Sequence, residues 1–427
     1  MSKLKDHESR YQLANELHAR PFPEIPGPGL ALFFAASLDQ GATGARADLL
    51  ALLDRHGADH PAPGANHYYG TLGRDRLKWE LHSEFVTYTL FTDAGDKGGF
   101  ALGFGAGFPE AWQNVVSGRV ITSARVLIQR DADAAAVESR MATDIRPLFV
   151  QESFAAAYVL DRNAVIAGDF RIDASGHMRF LVIGLGDISA RRMGRIVQRV
   201  LEVETYKAMS MLTYPVARAV FSDGNALDAR LSEIARNMTD STAEARQTLD
   251  RLLAVSAEVE LLSSDASYRL SAGRAYRALV AQRIRVMREE RILGAQLFSE
   301  FMMRRFDPAM RTCEAAEKRL EDLSLRAARA SRLLSTRVGV LAAEQNRQLL
   351  ESMNRRAALQ MRLQETVEGL SVVAVSYYAV NLLSYLLGPL VKHWVHSKSL
   401  LSGLLVLPVM LVVWLLIRRI KARVGKG

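Results

Sequence analysis

The chain has 427 residues, 49% of them hydrophobic and 24% charged, with a formal net charge of +9. That length exceeds one ordinary domain, and that composition excludes a collagenous, disordered or disulfide-built protein. Cys313 is the only cysteine, so an intramolecular disulfide is excluded and a reducing compartment is expected.

The first 29 residues hold no apolar core of signal-peptide length, so no cleaved leader is expected. Within RYQLANELHARPF (residues 10–22) a short helix tied down through Tyr11, Leu13 and Leu17 is predicted. Pro21, Pro23, Pro26 and Pro28 then force extended backbone. Residues 30–37 (LALFFAAS) read as a buried strand and residues 45–56 as a helix. Residues 76–91 (RLKWELHSEFVTYTLF) read as one alternating strand, and 115–128 as another.

Residues 133–145 read as a helix capped by Asp131 or Asp133. Three short runs, 154–160, 165–172 and 177–183, are separated by turn chemistry and predict an antiparallel meander. A helix over 188–212 follows, ended by Pro215. Beyond residue 225 glycine is scarce and the chain reads as helices over 225–264 and 265–306, with a break at Phe306-Asp307-Pro308. From Pro308 no breaker occurs until Gly388-Pro389, which predicts one helix of about 80 residues and about 120 Å. Its stripe of Leu320, Leu323, Ala327, Ala330, Leu334, Leu341 and Leu349 needs cover from neighbouring helices or sister chains.

Residues 367–387 and 399–417 are apolar runs of about the length that crosses a ~30 Å hydrocarbon core. Arg and Lys crowd before the first and after the second, so both ends are predicted to be cytoplasmic, in a bacterial inner membrane. The same bias explains the net charge, and no nucleic acid is expected as a partner. The predicted organisation is an α+β cytosolic domain with an antiparallel sheet (1–221), a long helical, coiled-coil-like stalk (222–366), a two-helix transmembrane hairpin (367–418) and a basic tail (419–427). The expected partners are the lipid bilayer and further copies of the chain.

No catalytic set emerges, and no cofactor is assigned. Glu80, His82 and Glu84 would share one face of a strand and are candidate metal ligands; the alternative is a polar face paired with Arg119 or Arg125. Gly98 to Phe108 lacks the Lys-Ser/Thr of a phosphate loop and reads as an apolar loop. Arg191, Arg192, Arg195 and Arg199 form a basic helical surface that anionic headgroups or an acidic partner could use, unless it pairs with Glu202 and Glu204. Tyr377, Asn381, Ser384 and Gly388 form a polar stripe in the first apolar run, either glue between helices or a pore lining, with Glu365 and Glu368 before it.

RYQLANELHARPF, LKWELHSEF, GRIVQRVLEVETYKAMSML and VEGLSVVAVSYYAVNLL together resemble an uncharacterised family of bacterial membrane-anchored proteins. That resemblance implies architecture and location, and carries no site residues. The layout is also similar to that of CorA-type magnesium channels, which would imply a divalent cation as partner. Of their Gly-Met-Asn motif this chain keeps only Asn381, and its inter-span linker, GPLVKHWVHSK, is basic where theirs is acidic.

Overall fold

The computed structural model describes residues 5–16, 22–93, 99–100, 103–236, 242–387 and 398–424. The chain divides into two compact units: Met1–Asn237 with Asp250–Ser331, and Met238–Leu249 with Arg332–Gly427.

The first unit is an antiparallel-rich mixed sheet between helices. After α1 (Arg10–Glu16) come β1 (Gly29–Ser37), α2 (Gly41–His56), β2 (His67–Leu72), β3 (Asp75–Leu81) and β4 (Phe85–Thr92). Then follow α3 (Glu110–Gln113), β5 (Val120–Asp131), α4 (Ala134–Arg140), β6 (Ala155–Val159), β7 (Ala164–Ile172) and β8 (Met178–Leu185). Helices α5 (Ala190–Met211), α6 (Thr213–Arg236) and α7 (Thr242–Met287) lead to a two-residue strand β9 (Glu290–Arg291) and a short α8 (Phe298–Phe301). The strand order is β2-β3-β4-β1-β5-β8-β7-β6-β9, antiparallel except for the β5–β8 pair. β1 lies between β4 and β5 with both faces buried, which is why its sequence is an unbroken apolar run.

The predicted meander is β6-β7-β8. Asp133 caps α4 by accepting from the Ala136 amide at 2.9 Å. Three expectations are corrected. Residues 76–91 are two strands, β3 and β4, because the chain reverses at His82–Glu84, where the His82 amide bonds to the Phe85 carbonyl. No helix boundary falls at Asp265: α7 runs on to Met287, since Val259, Ala266 and Leu270 keep one buried face through that point. The chain leaves the helix at Arg288–Gly294, where Arg288, Leu293 and Gly294 all have positive φ. Finally, Phe306-Asp307-Pro308 is no break. The backbone widens into a π turn over Met302–Phe306 and continues, so Pro308 is accommodated without ending the helix.

The two sheet faces build two cores. Leu30, Leu32, Leu77, Trp79 and Tyr88 point toward α2, α3 and α4. Ala31, Phe33, Phe85, Val126 and Phe180 point toward α5, α6, α7 and the start of α9 (Asp307–Leu387). On α9 the stripe of Leu320, Leu323, Ala327 and Leu334 is buried, while Leu349 is exposed.

The second unit contains the rest of α9 and α10 (Lys398–Val424). Both helices are long and apolar enough to cross a membrane, with mean hydropathy of 1.6 and 2.1 over their most apolar stretches. Ser384 Oγ lies 3.2 Å from Ser402 Oγ, and Ser376, Val380 and Val409 are buried. Most of their other large apolar side chains are exposed.

Candidate functional site

Alternation along β3 sends Leu77, Trp79 and Leu81 to one core and Lys78 and Glu80 to the opposite face. On β4, Phe85, Thr87 and Thr89 share that second face. Helix α5 passes over it and encloses a cavity of about 240 Å³. Phe33, Phe85, Phe91 and Leu201 give it apolar walls, and Phe22 and Pro23 also line it. Gly194 makes that segment possible: a Cβ there would stand 1.7 Å from the Pro23 carbonyl oxygen. The Ile25 amide donates to the Ala190 carbonyl and holds the segment down.

The polar lining is one connected chain. Lys78, 4% exposed, donates from Nζ to Gln198 Oε1 at 2.7 Å and pairs with Glu80 Oε1 at 3.1 Å. Gln198 Nε2 donates to Glu202 Oε1 at 2.8 Å, and the other Glu202 oxygen accepts from Arg283 Nε. Tyr206 stands beside them. Burial, then the Glu202 carboxylate, pushes its phenol up, with Glu80 adding to the rise and Arg283 opposing it. A site with these groups can bind a small polar ligand by charge and hydrogen bonding.

Of the sequence candidates, Glu80 and His82 line this cavity. The His82 ring stacks on Phe85 at 4.3 Å. Glu84 is engaged elsewhere: it accepts from Arg269 through two nitrogens, at 2.8 and 3.3 Å, and from Tyr276 Oη at 2.6 Å. The hairpin therefore separates the three side chains that a single strand would have aligned. Among the described residues no group of three or more His, Cys, Asp or Glu stands together as metal ligands. Arg119 pairs with Asp39 and Arg125 donates to the Phe100 carbonyl, so neither meets these carboxylates.

A second cavity, about 340 Å³, lies on the other face, lined by Phe34, Phe104, Phe108, Trp112 and His177. His177 stacks on Phe104 at 4.1 Å, and its Nδ1 is 2.8 Å from Ser123 Oγ. Burial, then Arg125, lowers the His177 pKa, against Asp173. Ser123 donates its proton to the Gly176 carbonyl at 3.1 Å, and Asp173 accepts from Ser175 and from the His177 amide. The trio is thus not arranged as nucleophile, base and orienter. Phe100, Phe104 and Phe108 of the glycine-rich segment pack against this core.

On α5 the basic surface does not pair with the expected carboxylates. Glu204 is fully buried, accepting from Thr122 at 3.0 Å and from Lys207 at 2.6 Å. Arg191 pairs instead with Glu24 at 2.6 Å, and Arg195 lies over the Phe22 ring at 5.3 Å. In the apolar stripe, Tyr377 is 66% exposed, Asn381 is half-buried, and Ser384 meets Ser402; Gly388 lies outside the described residues. Tyr11 and Leu13 of α1 are exposed rather than docked, and Leu17 and His18 also lie outside the described residues.

Sequence reasoning missed Lys78, Gln198, Tyr206 and Arg283, and read Glu202 only as a partner for the basic face of α5. The available signal was Lys78 and Glu80 alternating with apolar residues, and Thr87 and Thr89 doing so on the next strand.

Fold and site define a protein with a sheet-based unit, a ligand-sized charged cavity, and two helices long and apolar enough to cross a membrane. The chain belongs to the family described as protein of unknown function (DUF3422), which matches residues 5–424. No curated protein and no solved structure matches the chain. The similarity to CorA-type channels is not shown.

Proposed function

We propose that this is a bacterial inner-membrane protein anchored by a C-terminal two-span hairpin, with both ends cytoplasmic. Its sheet-based unit acts as a sensor or scaffold that binds a small polar ligand in the cavity under α5. Copies associate through the long helices. The observation that carries the reading is the bare apolar surface of α9 and α10: only 11% and 6% of their most apolar stretches are buried within the chain. Surface of that kind is stable in hydrocarbon and not in water. The charged, hydrogen-bonded lining of the cavity supports ligand binding.

The test uses the full chain in membranes. It is expected to stay in the pellet through carbonate washing, to report a cytoplasmic C-terminus by reporter fusion, and to crosslink between copies. Release into the supernatant as a folded protein would end the anchoring argument, and a strictly monomeric crosslinking pattern would end the scaffold argument.

A further inference from the structure

Four arginines converge beside the cavity from two helices. Arg195 and Arg199 are one turn apart on α5. Arg199 donates from Nη1 to the Val286 carbonyl at 3.4 Å, which brings it to the last turn of α7. Arg283 stands on that helix and Arg288 just past its end. The β6–β7 turn comes to the same place, because the Leu160 amide donates to the Met287 carbonyl at 2.8 Å.

The carboxylates facing the cluster are Glu202 and Asp161. Glu202 accepts from Arg283, and Asp161 pairs with Arg288 at 2.7 Å. Among the described residues neither Arg195 nor Arg199 has a carboxylate within salt-bridge distance. Among the described residues Arg195 Nε is buried without a hydrogen-bond partner. Among the described residues four guanidinium groups thus face two carboxylates. Burial, then Arg195, with Arg283 and Arg288 adding, lowers the Arg199 pKa, and Glu202 works against them. Like charges held together in a partly buried place are stabilised by a bound anion. Guanidinium forks pair bidentately with phosphate oxygens as they do with carboxylate, and the several acceptor oxygens of a phosphate suit a cluster of more than one arginine.

We propose that Arg195 and Arg199, backed by Arg283 and Arg288, bind the phosphate group of a ligand whose remaining part enters the cavity walled by Phe33, Phe85 and Leu201. This rests on the reading of that cavity as a ligand site and names the ligand's charged end. The shared chemistry is a phosphate monoester or diester, carried by a soluble metabolite or by an anionic lipid headgroup.

The test uses the full chain in a neutral detergent. Inorganic phosphate, and separately phosphatidylglycerol doped into the micelles, are titrated while thermal unfolding is followed, with phosphatidylcholine as the control lipid. A saturable rise in the unfolding midpoint with either probe is expected. Arg199→Gln should weaken the response roughly tenfold or more, and Arg195→Gln should do likewise. Arg191→Gln, whose arginine is exposed and already paired with Glu24, should respond like the unaltered chain. A response to phosphate assigns a soluble ester; a response to phosphatidylglycerol alone assigns a headgroup. No response to either probe overturns the proposal, as does an unchanged response in the Arg195→Gln/Arg199→Gln double variant whose ligand-free midpoint is normal. Membrane retention is read separately, so a failure here is distinguishable from a failure of anchoring.

Discussion

Two stretches of one helix carry similar residues and meet opposite surroundings. In residues 307–331 of α9, Met310, Ala316 and Leu320 are buried in the core of the sheet-based unit. In residues 367–387, Leu370, Tyr378, Leu382 and Leu386 are bare. The first stretch is amphipathic: Arg and Glu fill the positions between its apolar residues, and only one stripe needs cover. The second is apolar over most of its circumference, broken only by the narrow polar stripe through Asn381 and Ser384, so no single neighbour could cover it. Periodicity therefore tells a helix that packs on protein from one that needs an apolar solvent.

The largest expected effect tests whether the covered region depends on satisfied charges. Glu204→Ala leaves the Lys207 ammonium without its carboxylate in a buried place and should cost about 3–5 kcal/mol. Chemical denaturation followed by tryptophan fluorescence measures it. A cost below 1 kcal/mol (about the value of a surface pair) would mean that the pair is solvated in the folded chain.

The direct comparison is one substitution made twice. Leu320→Ala, at a residue 4% exposed, should cost about 2–5 kcal/mol. Leu386→Ala, at a residue 69% exposed, should stay within about 0.5 kcal/mol in the same assay. Equal costs would break the contrast between the stretches.

A smaller effect depends on pH. Burial raises the Glu289 carboxyl above its ordinary value of 4.5, with Glu300 adding to the rise and Ser299 opposing it. The folded chain therefore holds this proton more tightly than the unfolded chain does. The resulting stability is full below the ordinary value and is lost as pH climbs through the raised one. Glu289→Gln, neutral throughout, should raise the melting temperature at about pH 7.5 and change it little at about pH 4. An equal shift at both values would show that the burial cost is not the cause.

The smallest effect lies between the bare helices. Ser384→Ala removes the contact with Ser402 and should cost about 0.6 kcal/mol, the usual size of such a bond between membrane helices. Unfolding of the full chain in detergent reads it. A loss several times larger would give the polar stripe a role beyond helix pairing.

Much of this fold was legible because its signals are local. The run in β1, the cap at Asp133 and the turns of the meander each depend on a few adjacent residues. The hairpin at 82–84 escaped because its turn holds no glycine or proline, and only a change of phase, from Leu77, Trp79 and Leu81 to Val86, Tyr88 and Leu90, marks it. The missed end of α7 has a similar cause: Arg288 and Leu293 adopt backbone angles that their side chains do not advertise. The candidate site was only half visible. Glu80 and His82 drew notice as a charged motif, but Gln198, Glu202, Tyr206 and Arg283, which complete the cavity lining with them, lie far away in sequence, on α5 and α7.

By itself the sequence determined where the apolar helices run and how β1 and the meander form. Chain stiffness, hydropathy and turn chemistry are properties of neighbouring residues. Only the tertiary structure decided what the polar face of β3 and β4 is for. Alternation says that Lys78 and Glu80 point away from Trp79, and water is the usual occupant of such a face. Here α5 lies across it instead, because its own apolar stripe needs the sheet, and the enclosed charges become the wall of a cavity.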